Sequence, residues 1–238
     1  MIRSGAEFDD YATGYAQDVE RAVAFSGKDH AFFLRAKAEY LNESLSRRGI
    51  VPSDCDLLDI GCGIGRFHRY LREFGSVTGI DESEAMLVRA RADNPTVRYL
   101  GSDARLLPLS DESFDVVLAI NVFHHVLPSD RPGMIREMAR VCRSGGFVVL
   151  MEHNPLHPLT RYVTSRCPCD RDARLLGRSE TTALLEKSAG LEEIEVGYLL
   201  FVPSERRLAR FLERSLRRVP AGAQYCAIGR RQPTSAGS

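Results

Sequence analysis

The chain has 238 residues, enough for one α/β domain with additions and a well-buried core. Its 32 basic residues balance 32 acidic ones, which argues against a general attraction to nucleic acid or to an anionic membrane. No apolar run reaches a membrane span, the first residues lack the plan of a signal peptide, and six scattered cysteines form no disulfide framework; reduced thiols in the cytoplasm are the expectation.

In chain order, residues 1–50 read as a mostly helical, polar N-terminal lid, and 51–238 as a Rossmann-like domain. Within the first part, Ala31 to Arg47 carries Phe33, Ala36, Tyr40 and Leu41 at helical spacing. Pro52 and Ser53 mark the entry to the sheet. An apolar strand then ends in Asp59, and the run Leu57 to Phe67 places glycines at Gly61, Gly63 and Gly65, with Cys62 inside the loop. Glycine there permits a sharp turn and a close approach by a ligand. Arg66 to Phe74 reads as the helix that follows, with free N–H groups facing the loop.

Ser76 to Ile80 is a second strand ending at Asp81, roughly 20 residues past the loop, the offset at which an acid meets a ribose diol. A helix opens at Glu82 and carries Met86. Val97 to Leu100 is a third strand running into Asp103 and Ala104. Ser113 to Ile120 is a fourth, leading to Asn121, and Arg143 to Leu150 supplies a turn and a fifth strand. A substrate-side excursion at about 154–178, rich in proline, arginine and threonine, reads as irregular. Ser179 caps a helix that Gly190 stops. Ile194 to Val202 is a strand, Ser204 to Arg218 an amphipathic helix, Ala223 to Arg230 a last strand, and 233–238 a frayed tail.

A dinucleotide loop spaces its glycines Gly-x-Gly-x-x-Gly. Here the third glycine comes one residue early, and the carboxylate of Asp59 would repel a pyrophosphate while suiting an ammonium. S-adenosylmethionine combines adenosine, a carboxylate and an ammonium. The conjunction of Leu57–Phe67, Gly79-Ile80-Asp81, Gly101–Ala104, Ser113–Asn121 and Arg143–Leu150 resembles the class I S-adenosylmethionine-dependent methyltransferases in order and spacing. The resemblance implies a seven-stranded, mostly parallel Rossmann-like α/β sheet with helices on both faces and an antiparallel last strand. It also implies a cofactor site of Asp59, Gly61, Cys62, Gly63, Gly65, Asp81, Glu82, Met86, Asp103, Ala104 and Asn121, in which Met86 packs on the adenine and Asp103 accepts from its amino group.

Phe8-Asp9-Asp10-Tyr11-Ala12-Thr13-Gly14-Tyr15 is similar to the lid segment that precedes the sheet in many small-molecule members. Carried over, Tyr15 touches the methionine carboxylate and Tyr11 is a gate residue; Lys37 approaches the same carboxylate or, more plainly, lies on a solvated helix face. Phe25–Asp29, Glu152–Pro155, Cys167–Ala173 and Gly222–Tyr225 resemble a bacterial subgroup of natural-product, sugar or glycan pathways, with Cys169 where an aromatic residue is expected.

The function this implies is methyl transfer to an oxygen or nitrogen of a small-molecule acceptor, with a sulfonium-assisted cyclisation or rearrangement as the alternative. Such a displacement needs a base for the acceptor's proton, and histidine suits it. His124 and His125 follow the fourth strand and His153 the fifth, all at the carboxyl edge. No metal is expected, since Cys167-Pro168-Cys169 lacks a second partner pair and no compact set of acids follows the fourth strand. Arginines of the excursion, including Arg161 and Arg166, and those of the helix after Val202 read as solvated by default; the sharper expectation is an anionic or carrier-attached acceptor. No nucleic acid or membrane partner is expected, and the protein is expected to be a monomer or homodimer.

Overall fold

A computed structural model of the chain describes residues 14–170 and 172–232. The Tyr11 gate with most of its motif, Arg171 and the tail at 233–238 lie outside the described residues. Two helices come first, α1 (Tyr15–Val23) and α2 (His30–Ser46), the second capped by Asp29, whose carboxylate accepts from Phe32 N at 2.9 Å. Then follow β1 (Asp56–Ile60), β2 (Ser76–Asp81), α3 (Glu84–Asp93), β3 (Arg98–Gly101), β4 (Phe114–Ile120), α4 (Arg131–Val141) and β5 (Cys142–His153). The chain closes with α5 (Pro158–Arg166), α6 (Arg178–Ala189), β6 (Glu192–Leu199), α7 (Arg207–Ser215) and β7 (Gln224–Arg230).

The seven strands form one sheet in the order β3-β2-β1-β4-β5-β7-β6. β7 inserts antiparallel between β5 and β6, as the sequence implies, and the remaining pairs β2–β3, β1–β2, β1–β4 and β4–β5 are parallel. Leu57, Val116, Val149 and Ile228 pack with Leu41 and Leu45 of α2 on one face, while Leu58, Val117, Leu150 and Ala227 pack with Met134, Met138 and Leu185 on the other. Alternate strand residues thus fill two cores, each covered by helices. The strand order reverses between β1 and β4, the switch point at whose carboxyl ends open α/β sheets bind ligands.

Four local expectations are corrected. Arg66 to Phe74 is a chain of tight turns with one short 3-10 segment at His68–Tyr70, because the His68 ring is fixed by Asp59 at 3.0 Å and Tyr99 at 2.6 Å while Phe67, Leu71 and Phe74 sink into the core. The excursion contains α5, begun by Pro158 at its first turn, and a 3-10 turn at Pro168–Asp170. α6 starts at Arg178 with Gly177 at its N-cap and no side-chain cap, so Ser179 lies inside it; Gly190 ends it at φ +59° as expected. α7 turns its polar side inward: Glu213 accepts from Leu200, Phe201 and Val202 N–H groups, Arg214 and Arg217 reach Glu43, and Leu208 and Phe211 face outward.

Candidate active site

The glycine loop after β1 builds the first cavity. Gly61 and Gly63 sit at φ +69° and +54°, a region L side chains rarely adopt, and a Cβ on Gly61 would meet Val122 at 2.5 Å. A Cβ on Gly63 would meet nothing within 4 Å, so it would project into open space above the loop. Gly63 N donates to Asp81 Oδ2 at 2.8 Å and Ser83 N to Asp81 Oδ1 at 3.0 Å, which fixes the end of β2 against the loop.

This cleft, of about 220 Å³, is lined by Asp59, Gly61, Cys62, Gly63, Asp81, Glu82, Met86, Asp103, Ala104, Asn121 and Tyr15 among others. Every cofactor residue expected from the sequence is therefore present except Gly65, whose added Cβ would strike Tyr99 Oη at 2.6 Å; that glycine serves the packing of the loop. Asp103 also holds Arg105, with contacts of 2.8 and 2.9 Å from Nε, and hydrogen bonding from Arg105 keeps its carboxyl below the usual range. Burial and the neighbouring Asp103 raise the Glu82 carboxyl. Met86 is buried against Ile64 beneath Tyr15 of α1.

Asn121 directly follows β4 at φ +55°, and its buried Oδ1 has no hydrogen-bond partner among the described residues. An orphaned buried acceptor at a strained position points to a ligand donor, and the ammonium of the expected cofactor is one. Lys37 is the matching cation. It is 2% exposed, makes no hydrogen bond or ion pair among the described residues, and lines the cleft. Burial lowers its ammonium to about 8, opposed by the more distant charge of Glu152. The solvated-face reading of Lys37 is thus corrected. The cradle above Gly63, the orphaned amide and the unpaired ammonium fit a ligand with a zwitterionic amino-acid end.

A second cavity, of about 470 Å³, is lined in part by Tyr15, Val19, Ala22 and Val23 of α1. Val19, Val23, Phe25, Phe33, Leu159 and Val163 contribute apolar wall, and His124, His125, His153, Asp170 and Gln224 the polar surface. Tyr15, His30, Lys37, Asn121 and His125 line both cavities, so the two meet there. Burial, with the charges of Lys37 and Arg66, lowers His30 to about 3, so it is a neutral ring at their junction.

The three expected histidines come together but do not share one environment. Glu152, 1% exposed, accepts from Val122 N at 2.9 Å, Phe123 N at 2.7 Å and His124 Nδ1 at 2.7 Å. Burial would lower His124, but the carboxylates of Glu152 and Asp170 outweigh it and raise the imidazole to about 9. The same cluster holds Asp170 down to about 2 against the effect of burial, and burial with the charge of His124 lowers His153 to about 4. His124 Nε2 and His125 Nε2 both lie 3.4 Å from Asp170 Oδ1. His124, His125 and Asp170 bring three metal-ligating atoms within 4.8 Å of one another, as do Cys167, Cys169 and Asp170, groupings that the sequence spacing did not suggest. Asp170 and Glu152 were missed as partners because the fold alone joins the excursion to the loop after β4; the only local signal was an acid within a Pro-Cys-Asp turn. Arg161 and Arg166 of α5 are exposed and line neither cavity.

Residues 58–150 match a family described as a methyltransferase domain. The chain is 30% identical over 182 residues to a malonyl-[acyl-carrier protein] O-methyltransferase of Pseudescherichia vulneris, covering 74% of this chain and 70% of that protein. It is 39% identical over 103 residues to a phosphatidylethanolamine N-methyltransferase of Cereibacter sphaeroides, covering 41% of this chain and 50% of the relative. The chain spans about half the length of several curated relatives it matches. Among solved structures, a possible histamine N-methyltransferase from Thermotoga maritima shares the fold at a TM-score of 0.62 and 24% identity, covering 90% of this chain and 100% of that one.

Proposed function

The chain belongs to the S-adenosylmethionine-dependent methyltransferases, and we propose that it moves a methyl group to an oxygen or nitrogen of a small-molecule acceptor, releasing S-adenosylhomocysteine. The observation that carries this reading is the meeting of the two cavities at Tyr15, His30, Lys37, Asn121 and His125. The cofactor supplies an electrophilic methyl group on a sulfonium. Asp81 and Glu82 would hold its ribose, Met86, Asp103 and Ala104 its adenine, and Asn121, Tyr15 and Lys37 its amino-acid end. Within the proposed N-terminal lid, α1 would cover the cleft at Ile64 and Met86 while α2 packs on the sheet; water exclusion protects an alkylating centre.

The larger cavity receives the acceptor. Positioning is the protein's main task in an in-line displacement, and the apolar walls around a polar end suit an amphipathic molecule. Of the three histidines singled out from the sequence, His125 alone lines both cavities, so it is the proposed proton acceptor, with Asp170 steadying its ring. His124, held as a cation between Glu152 and Asp170, is a scaffold rather than a base. His153 is neutral and bonded through Nδ1 to Gln224 Nε2 at 3.2 Å, while the buried Gln224 Oε1 has no partner among the described residues. That pair is the proposed polar contact for the acceptor. Relatives that act on a carrier-attached acid and on a phospholipid amine support both an oxygen and a nitrogen target and an acceptor with an anionic handle.

The test is label transfer. Protein incubated with S-adenosylmethionine carrying a labelled methyl group, against hydroxyl- and amine-bearing amphiphiles, should give labelled product and S-adenosylhomocysteine in equal amounts. Consumption of an acceptor without either would refute the reading.

A further inference from the structure

The outward face of α7 has no role in the chemistry above. Leu208 is 70% exposed and Phe211 65%, with Leu212 beside them, and among the described residues nothing covers them. The arrangement is held deliberately: Ala209 is buried, Glu213 caps three backbone N–H groups of the segment after β6, and Arg214 and Arg217 grip Glu43 of α2 at 2.6 Å each. The helix cannot roll its leucines inward without breaking these bonds. Arg206, Arg207, Arg210 and Arg218 of the same helix and its ends are exposed as well.

The face adjoins the mouth of the larger cavity. Phe201 and Pro203, in the segment leading into α7, line that cavity. Across the mouth, Phe25 and Leu159 both line it and stand half exposed, and Phe25 meets Tyr162 of α5 edge to face at 5.6 Å. α5 repeats the chemistry of α7: Leu159 and Tyr162 are exposed beside exposed Arg161 and Arg166, the latter's guanidinium lying 5.3 Å from the Tyr162 ring centre. Both flanks of the opening therefore pair apolar side chains with arginines, although the whole chain is formally neutral. A contiguous exposed apolar patch marks an interaction site. A short helix with Leu and Phe on one side and arginine around it is the pattern that seats in the headgroup layer of a bilayer, and arginine selects anionic lipid.

We propose that α7 and the start of α5 form an interfacial docking surface for an anionic lipid bilayer, holding the acceptor cavity open toward the membrane. Leu208 and Phe211 enter the acyl boundary, and Arg207 and Arg210 contact lipid phosphates. No helix among the described residues is long and apolar enough to cross a membrane. The orientation of the cavity rests on the acceptor reading above; the docking itself does not.

Sedimentation with vesicles tests docking with neither cofactor nor acceptor present, so its failure is separate from a failure of methyl transfer. Vesicles of equal phosphatidylcholine and phosphatidylglycerol should bind the protein at least about tenfold more tightly than phosphatidylcholine alone, with weakening in salt. Leu208→Glu with Phe211→Glu should lose at least about tenfold of that binding, and Arg207→Gln with Arg210→Gln should do the same. Both pairs are surface changes and should leave the Tm and S-adenosylhomocysteine affinity unaltered. The proposal is overturned if wild type ignores anionic vesicles or if the glutamate pair binds as well as wild type. Competition by free glycerol phosphate would reduce the face to a phosphate site, and a wild-type dimer dissolved by the glutamate pair would assign it to a second copy of the chain; either result also overturns it.

Discussion

Burying a lysine ammonium costs free energy unless an anion meets it, and Lys37 is buried with only a distant attraction to Glu152. The fold holds it near 8 instead of its ordinary 10.5, so between those values the unfolded chain binds more protons than the folded one. Stability of the ligand-free protein should therefore rise with pH across that window, and the penalty is fully present below it. Lys37→Met should stabilise the ligand-free protein at neutral pH by up to about 3 kcal/mol, the equivalent of that shift, and should flatten the pH dependence. Denaturant unfolding at two pH values measures both, and a destabilised variant would contradict this account. A site that stores such a cost for function is the usual trade of stability for activity. Asp81 belongs to the same scale. Asp81→Ala should weaken cofactor binding by about 1–3 kcal/mol, the cost of unmade hydrogen bonds, and calorimetry showing full affinity would remove its assigned role. For the proposed base, His125→Ala should lower kcat with little change in cofactor affinity, whereas equal turnover would move the base elsewhere.

α1 is the element whose role is most open to test. It packs Tyr15 on Ile64 and Met86 at one end and Ala22 on Cys167 and Cys169 at the other, so it closes both cavities with few contacts. Bound cofactor should protect it from protease, because a ligand that binds only the closed state favours that state. Tyr15→Phe should weaken cofactor binding while leaving the Tm unchanged; cleavage equal with and without cofactor would reduce α1 to ordinary packing. The helices also show where sequence reading stops. The strands were legible because short apolar-rich runs each meet a polar residue at the carboxyl edge: Asp59 within β1, Asp81 closing β2 and Asn121 directly after β4. The Arg66–Phe74 segment has a helix's apolar spacing, but the side-chain bonds of His68 favour tight turns. α7 has the period of a core-facing helix, yet the anchor at Glu213 reverses which side faces in, and no periodicity argument contains that bond.

At the scale of the molecule, the sheet brings together groups that lie far apart in the chain. Lys37 comes from α2, Asn121 from the end of β4 and Tyr15 from α1, while Asp170 reaches the histidine pair from the excursion. The cofactor cleft was largely legible because its residues fall within short motifs on successive strands. The acceptor cavity was not, since its polar end is assembled across more than one hundred residues and its polarity depends on burial. Burial also separates the three histidines: one is charged, one neutral, and one sits at the junction. In the proposed arrangement the cleft beneath α1 holds the cofactor with its amino-acid end on Lys37, where the two cavities meet. The most direct measurement is calorimetric titration of wild type and Lys37→Met with S-adenosylhomocysteine and with methylthioadenosine, which lacks the amino-acid end. The variant should lose about 1.5–3 kcal/mol for S-adenosylhomocysteine, the scale of a hydrogen bond to a charged group, with no change for methylthioadenosine. Wild-type affinity for S-adenosylhomocysteine should also fall at alkaline pH as Lys37 loses its proton, a dependence that the variant should lack. Equal affinity of both proteins for both ligands would contradict it.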